Sequence, residues 1–303
     1  MTTPQKPPPF PGLRVTVPFF LKRIWISLRP RPGAAERIPY DAAALLREPS
    51  LTWIGHSSFL IRMDGVSFLT DPMFSERASP FSFMGPRRLV PPGVPFDALP
   101  PLSFVLLTHD HYDHSDRPTV LRLARRGVSF VVPRGLAQWV RDAGGRAIEL
   151  EWWQETDIAG LRITCVPARH FSGRTLRDRN RRLWCGWVVR GRTRTFYDAG
   201  DTAYPDHFKE IGQRLGPIDL AAVPIGAYLP AAMMHPVHVT PEEALLIAEA
   251  VGARTAVAMH HGTFDLADEA VDEPARRFRA EAARRGWGPD RAWLMKVGET
   301  RDW

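Results

Sequence analysis

Residues 107–116 read LTHDHYDHSD, and Leu107 closes LSFVLL (102–107), an apolar run with the pattern of a buried strand. A chain that ends a buried strand in three imidazoles and three carboxylates has to supply partners for them, because unpaired buried charge is costly. The rest of the fold must therefore converge on this point. His109, His111, Asp113 and His114 form the pattern HxHxDH. On a strand-to-helix turn this spacing sends two imidazoles to one side and an Asp/His pair to the other, each set ready to grip its own cation. Imidazole and carboxylate suit borderline metals such as Zn, and the absence of a cysteine among these ligands argues against a thiolate-rich structural site.

The same signature recurs downstream. His170 follows the strand-like LRITCVPAR, Asp201 lies in FYDAGDT, and His260 follows TAVAM. Two metals with room left for water need several further ligands, and layered α/β folds gather such groups outside the carboxyl ends of strands. Within MHHGTF the sequence does not choose between His260 and His261.

The surrounding pattern fits that architecture. LTWIGHSSFLIRMDGVSFLTDP reads as two strands joined at Asp64-Gly65, and RPTVLRLARRG reads as a helix capped by Ser115 or Asp116, with Pro118 in its first turn. Further strands are expected near 128–133, 161–167, 184–190, 193–198, 218–225 and 255–259, and helices near 135–143, 240–251 and 273–285. Thr240-Pro241-Glu242-Glu243 has the form of a capping box. Early hairpins followed by strand–helix alternation predict one layered α/β domain with sheets sandwiched between helices.

Composition sets looser bounds. The chain has 303 residues, 44% of them hydrophobic, enough for a sizeable core. Its formal charge of +7 points weakly to an anionic partner, since the arginines are scattered among Ala and Gly. Cys165 and Cys185 make no CxxC motif and read as small core residues. No apolar run approaches the ~20 residues of a membrane span, and the opening MTTPQKPPPFPG does not have the form of a signal peptide. A cytoplasmic protein is expected. Residues 1–40 stand apart as an arm whose stretch 14–31 mixes Phe19, Phe20, Ile24, Trp25 and Ile26 with basic residues. Such a segment suits a membrane surface, or packing against its own domain or a second subunit in a homodimer.

The order HxHxDH, strand-end His, GDT Asp and final strand-end His resembles the metallo-β-lactamase superfamily. The stretches TWIGHSSFLI, LTDPMFSERASP, GPRRLVPPG, FSGRTLRDRNRRLWCGWV, AGDTAY, IGAYLP and HHGTF are similar to the N-acylphosphatidylethanolamine-hydrolysing phospholipase D group, over residues 50–300. The resemblance implies an αββα sandwich in a single hydrolase domain, here 41–303 behind the arm, with two Zn ions per chain. By position, one ion would take His109, His111 and His170. The other would take Asp113, His114 and His260, with Asp201 bridging and His261 a bystander. Asp113, Asp201 and His238 then become the catalytic candidates, and Tyr112 a pocket residue. Asp71 and His56 are expected to support the ligands from behind, Asp198 to accept a ligand N–H or cap its strand, and Asp110 to be a structural acceptor.

Two adjacent cations can lower the pKa of a shared water from ~16 toward ~7, so hydrolysis follows from the ligand set alone. The resemblance favours a phosphodiester, specifically a phospholipid head-group linkage. PFSFMGPRRLVPP (80–92) offers an apolar wall in which Arg87 or Arg88 would pair the phosphate. A lactonase acting on a phosphorylated sugar, and a non-catalytic metal protein that binds lipid or nucleic acid, are the alternative readings. The arginines of residues 171–184 raise a nuclease, but that stretch matches the phospholipase group and its Arg and Asp residues can pair internally, so nucleic acid is disfavoured.

Overall fold

The computed structural model describes residues 12–29, 31–175, 177–204 and 207–303; most of the proline-rich opening of the arm lies outside them. Two seven-stranded sheets face one another. The first contains β1 (Ser50–Gly55), β2 (Ser58–Met63), β3 (Val66–Thr70), β4 (Phe104–Leu106), β5 (Ser129–Pro133) and β6 (Arg146–Leu150) in that spatial order. The second runs in order through β7 (Glu155–Ile158), β8 (Leu161–Val166), β9 (Gly186–Arg190), β10 (Thr195–Asp198), β11 (Ile218–Pro224), β12 (Ala253–Met259) and β13 (Ala292–Trp293). The C-terminal strand β14 (Thr300–Asp302) returns to pair antiparallel with β1.

Within each sheet, antiparallel hairpins give way to parallel strands. Pairing is antiparallel from β1 to β3 and parallel from β3 to β6. It is antiparallel from β7 to β10 and parallel from β10 to β13. The parallel halves require crossovers; all but the first carry an α-helix, and the first, residues 71–103 between β3 and β4, is a long loop with a single 3-10 turn at Phe96–Ala98. In chain order the helices are α1 (Leu13–Leu28), α2 (Arg117–Arg125), α3 (Ala137–Arg141), α4 (His207–Leu215), α5 (Ala231–Met234), α6 (Pro241–Ala250) and α7 (Glu273–Arg284).

Side-chain alternation along a strand sorts the core into layers. In β2, Phe59 and Ile61 enter the cluster between the sheets with Trp53, Trp187 and Tyr197, while Leu60 points the other way, to Val120, Leu123 and Val140 beneath α2 and α3. Phe68 stacks on Phe104 of its own sheet at 4.8 Å and meets Phe196 of the other edge-on at 6.2 Å. Leu245, Ile247 and Phe278 of α6 and α7 join the packing on the second sheet. The result is a helix–sheet–sheet–helix sandwich in one domain.

The expected pair of strands at 51–72 is a set of three. Gly55 and His56 take positive φ of 126° and 54° and turn the chain between β1 and β2, and Asp64-Gly65 at 52° and 79° turns it again. The capping box of α6 forms in both directions, Thr240 N to Glu243 Oε2 at 2.8 Å and Glu243 N to Thr240 Oγ1 at 3.3 Å. Asp116 begins α2, but its carboxylate serves elsewhere, accepting from Ser75 N at 3.2 Å and Ser75 Oγ at 2.8 Å.

Residues 13–28 form a helix despite Pro18 in its interior and no capping side chain at Gly12. Tertiary contacts supply what local propensity lacks. Arg23 donates to Asp265 at 2.9 Å, Asp268 at 2.7 Å and the Ala267 carbonyl at 2.6 Å. Arg31 joins the same Asp265 through Nε at 2.6 Å. Phe19 packs with Ala227, Met234 and Ala267. The helix is thus fastened to the segment that follows His260.

Candidate metal centre

The polar residues collect at one edge of the sandwich because the strands that carry them end there. The segment after β3 supplies Asp71, the turn after β4 the HxHxDH residues, the segment after β8 His170, the turn after β10 Asp201, and the turn after β12 His260. His56 comes from the β1–β2 turn, where its carbonyl accepts the His260 N–H at 3.2 Å. His56, Asp71 and His260 all adopt left-handed φ, at 54°, 34° and 59°. Such residues cost ~1–3 kcal/mol each and persist where surrounding structure over-determines them. Gly226 makes the close approach possible: a Cβ there would lie 2.0 Å from the His260 carbonyl oxygen.

Two ligand sets result. His111 Nδ1 lies 2.9 Å from His109 Nε2 and 3.2 Å from His170 Nε2. Three nitrogens held ~2.0–2.1 Å from one tetrahedral metal would stand roughly 3.3 Å apart, so this spacing suits a single ion. In the second set, Asp113 Oδ2 lies 3.4 Å from His260 Nε2 and 3.6 Å from His114 Nε2. Asp201 sits between the sets. Its Oδ2 is 3.1 Å from His260, 3.3 Å from His114, 3.8 Å from His170 and 3.9 Å from His109.

Supporting bonds fix which ring nitrogens face inward. Asp71, almost completely buried, accepts from Thr108 N at 2.8 Å, Thr108 Oγ1 at 2.5 Å and His114 Nδ1 at 2.7 Å. A carboxylate only accepts, so Asp71 holds a proton on His114 Nδ1 and leaves Nε2 as the atom that turns to the metal. Because the Thr108 hydroxyl donates to Asp71, it accepts from His109 Nδ1 at 3.0 Å, which frees His109 Nε2 in the same way. His170 Nδ1 donates to the Val237 carbonyl at 2.9 Å. His56 Nε2 donates to Asp113 at 3.0 Å and orients that carboxylate.

The electrostatics are those of a site awaiting positive charge. Burial holds His109 well below its usual range, His111 down at about 4 and His170 at about 3, so all three are neutral donors of lone pairs. Burial also opposes charge on His114 and His260, yet Asp201 and Asp113 outweigh it, lifting His114 and raising His260 to about 9. Asp113 and Asp201, though buried, are kept well below the carboxylate range by those imidazoles. His114 Nε2, His260 Nε2 and Asp201 Oδ1 are buried with no hydrogen-bond partner among the described residues, the condition expected of ligand atoms. The donor set fits divalent metal ions.

Of the remaining candidates, Asp198 accepts the Gly200 N–H at 2.9 Å behind the site, and burial pushes its carboxyl up to about 8. Asp110 points away from the metals, accepting Gly173 N and Arg182 at 2.7 Å each. His261 stacks on Trp53 at 4.9 Å. His238 lies beside the ligands, its Nδ1 3.9 Å from Asp201 Oδ2.

The site floors a cavity of about 200 Å³. Its wall is apolar and comes from Phe19 and Phe20 of α1, Met233 and Met234 of α5, Val237 and Leu266. Residues 80–92, expected as that wall, do not line it. Arg88 is buried elsewhere, donating to Ser75 O at 3.2 Å and to Met73 O and stacking on Phe264, while Arg87 is exposed near Glu76. Tyr112 faces a separate cavity of about 540 Å³, its hydroxyl donating to Arg174 O at 2.9 Å. Phe19 and Phe20, expected only as part of the arm, and Arg179, weighed only among the arginines of 171–184, were not expected at this cavity, since nothing local to those residues says which surface they will meet.

Residues 67–261 match the beta-lactamase superfamily domain. The chain belongs to the beta-lactamase superfamily. It is 42% identical over 228 residues to an N-acyl-phosphatidylethanolamine-hydrolyzing phospholipase D of Caenorhabditis elegans, covering 71% of this chain and 64% of the worm protein. An uncharacterized protein of Mycobacterium tuberculosis is 42% identical over 84% of this chain and 68% of its own length. Among solved structures, an isothiocyanate hydrolase from Delia radicum gut bacteria has a TM-score of 0.65 at 22% identity, covering 84% of this chain and 99% of that one. That likeness carries the superfamily fold.

Proposed function

We propose that this beta-lactamase superfamily chain is a metal-dependent phosphodiesterase of phospholipase D type that uses two Zn ions to cleave N-acyl-phosphatidylethanolamine-type phospholipids. The observation that carries the reading is an imidazole–carboxylate centre at the floor of an apolar-walled cavity. The likeness to the worm phospholipase supports it.

Bound divalent ions supply an ionised water near neutral pH and offset charge that develops on a phosphoryl group. His109, His111 and His170 would hold one ion, and Asp113, His114 and His260 the other, with Asp201 shared. Among the described residues no Ser, Thr or Cys lines the cavity, which is consistent with direct attack by water. His238 lines the cavity, and burial holds it neutral at about 3, so it is suited to hydrogen-bond a substrate oxygen. The apolar wall receives an acyl chain.

The substrate would be reached from a membrane surface on the cytoplasmic side. Leu21, Trp25 and Leu28 of α1 face outward, Leu28 being 70% exposed, and Phe81, Phe83 and Met84 do the same, Phe83 at 72%. Arg77 links the two groups through the Ser27 carbonyl at 3.4 Å and the Gly85 carbonyl at 2.7 Å. Exposed apolar side chains of this kind enter a lipid interface. No described helix is long and apolar enough to cross a membrane.

The test is purified full-length protein with vesicles containing N-acyl-phosphatidylethanolamine, assayed for phosphatidic acid and N-acylethanolamine with and without a chelator. Chelator-sensitive release of both supports the reading. Opening of phosphorylated-sugar lactones with no phospholipid cleavage refutes it.

A further inference from the structure

Arg179 is the single Lys or Arg among the described residues that line the cavity over the metal centre. The chain on either side of it is fixed. Asp178 accepts the main-chain N–H groups of Arg174 at 3.0 Å and Thr175 at 2.7 Å and pairs with Arg182 at 2.9 Å. Arg182 in turn reaches Asp110, which lies between His109 and His111. On the other flank, Asn180 N donates to Ser172 O at 2.9 Å and Ser172 N donates to Asn180 Oδ1 at 3.3 Å, two residues beyond His170. A Cβ on Gly173 would stand 3.3 Å from Arg179 Cα, so the backbone of Arg179 passes tightly against a residue that has no side chain. The guanidinium then lies over the Phe171 ring, 5.2 Å from its centroid.

Loop and metal site are therefore one construction. The bonds that shape residues 171–175 and 177–182 end on Asp110 and on the segment after His170, so Arg179 keeps a set place relative to the ligands. A guanidinium is weakly hydrated, stays charged, and matches two phosphate oxygens with a planar fork, which suits a half-enclosed site with an aromatic shelf. An ordered cation loses less entropy on binding an anion than a mobile one.

We infer that Arg179 is the specificity-determining residue of this cavity: it receives the anionic oxygens of a phosphodiester amphiphile and discriminates it from an uncharged analogue of the same shape. The inference rests on the phosphodiesterase reading above and names the group that selects the substrate's charge. The role expected for Arg87 or Arg88 falls instead to a residue of the neighbouring loop.

The experiment compares decyl methyl phosphate, an anionic diester, with decyl dimethyl phosphate, its neutral triester, by calorimetry on metal-loaded full-length protein. Arg179→Gln should weaken diester binding ~10- to 100-fold, as loss of a charge-assisted contact does, and leave triester binding unchanged. Arg179→Lys should recover part of the loss. Arg177→Gln, the same charge change at an exposed neighbour, should alter neither ligand, and metal content should be constant throughout. Diester binding that survives Arg179→Gln overturns the inference. So does equal loss of both ligands, which would mark a structural role, or a wild type that does not tell the two apart. Hydrolysis of N-acyl-phosphatidylethanolamine by the wild type is followed in parallel: cleavage without charge discrimination defeats only the Arg179 assignment, whereas discrimination without cleavage defeats the phospholipase reading.

Discussion

Asp71→Asn separates metal affinity from folding. The side chain is isosteric, and asparagine is among the residues that best tolerate the positive φ of 34° found there, so the backbone has no reason to move. The chemistry changes. An amide group in place of Oδ2 donates where His114 Nδ1 and Thr108 Oγ1 now donate to the carboxylate. With the amide turned over, its NH₂ instead meets the Thr108 N–H, which also only donates. In the first arrangement His114 must become an acceptor at Nδ1, and the proton moves to Nε2, the atom that faces the metal set. Loss of a partner behind a ligating histidine costs ~10- to 100-fold in metal affinity, or ~1.4–2.7 kcal/mol. The fold should suffer less. Burial already pushes the Asp71 carboxyl upward, so neutralising it relieves a desolvation penalty that offsets the one or two hydrogen bonds of ~1 kcal/mol each that are disturbed. The assay is equilibrium dialysis against a metal buffer with elemental analysis, alongside urea unfolding of the metal-free protein and ¹⁵N-histidine spectra to read the His114 tautomer. Wild-type metal affinity in Asp71→Asn would refute the reasoning, and the spectra show which of the two amide orientations forms.

Asp201→Ala removes the carboxylate that stands within 4 Å of His109, His114, His170 and His260, so bound metal should fall, and turnover with it by at least ~100-fold, with circular dichroism retained. Metal affinity should also depend on pH with a definite sign. His260, raised to about 9 in the metal-free site, and His114, lifted well above its usual value, both carry protons at pH 7 that the incoming ion must displace, so apparent affinity should climb with pH by more than ~10-fold per unit between 7 and 9, a slope visible in metal titrations. Serine at Leu21, Trp25 and Phe83 together should weaken partition onto anionic vesicles by ~100-fold, taking ~1 kcal/mol for each half-inserted side chain, while cleavage of a short soluble diester is unchanged; sedimentation with vesicles measures the first and a chromogenic diester the second.

Much of the ligand constellation was legible because its residues sit at the ends of apolar strands, where a run such as LSFVLL or TAVAM gives way to His or Asp. What the sequence hid has physical causes. β6 and β7 are mostly exposed, so RAIEL and ETDI lack the apolar content that marks a buried strand. Gly212 lies inside α4, where a glycine argues against helix, yet a Cβ there would come within 2.8 Å of the Ala250 carbonyl. Pro18 obscured α1 in the same manner, and the helix owes its place to Asp265 and Asp268, more than two hundred residues away. Long-range pairs of that kind leave no local periodicity. The cavity wall and Arg179 belong to this class too.

Because β4 lends its ligands from one sheet while β8, β10 and β12 lend theirs from the other, a bound ion acts as a rivet through the seam of the sandwich. Loading at a thousand times the dissociation constant adds ~4 kcal/mol to whatever packing provides. The chain's resistance to heat and proteases is then governed by the metal supply of its surroundings, and starvation for that metal would shorten its lifetime as well as silence its chemistry.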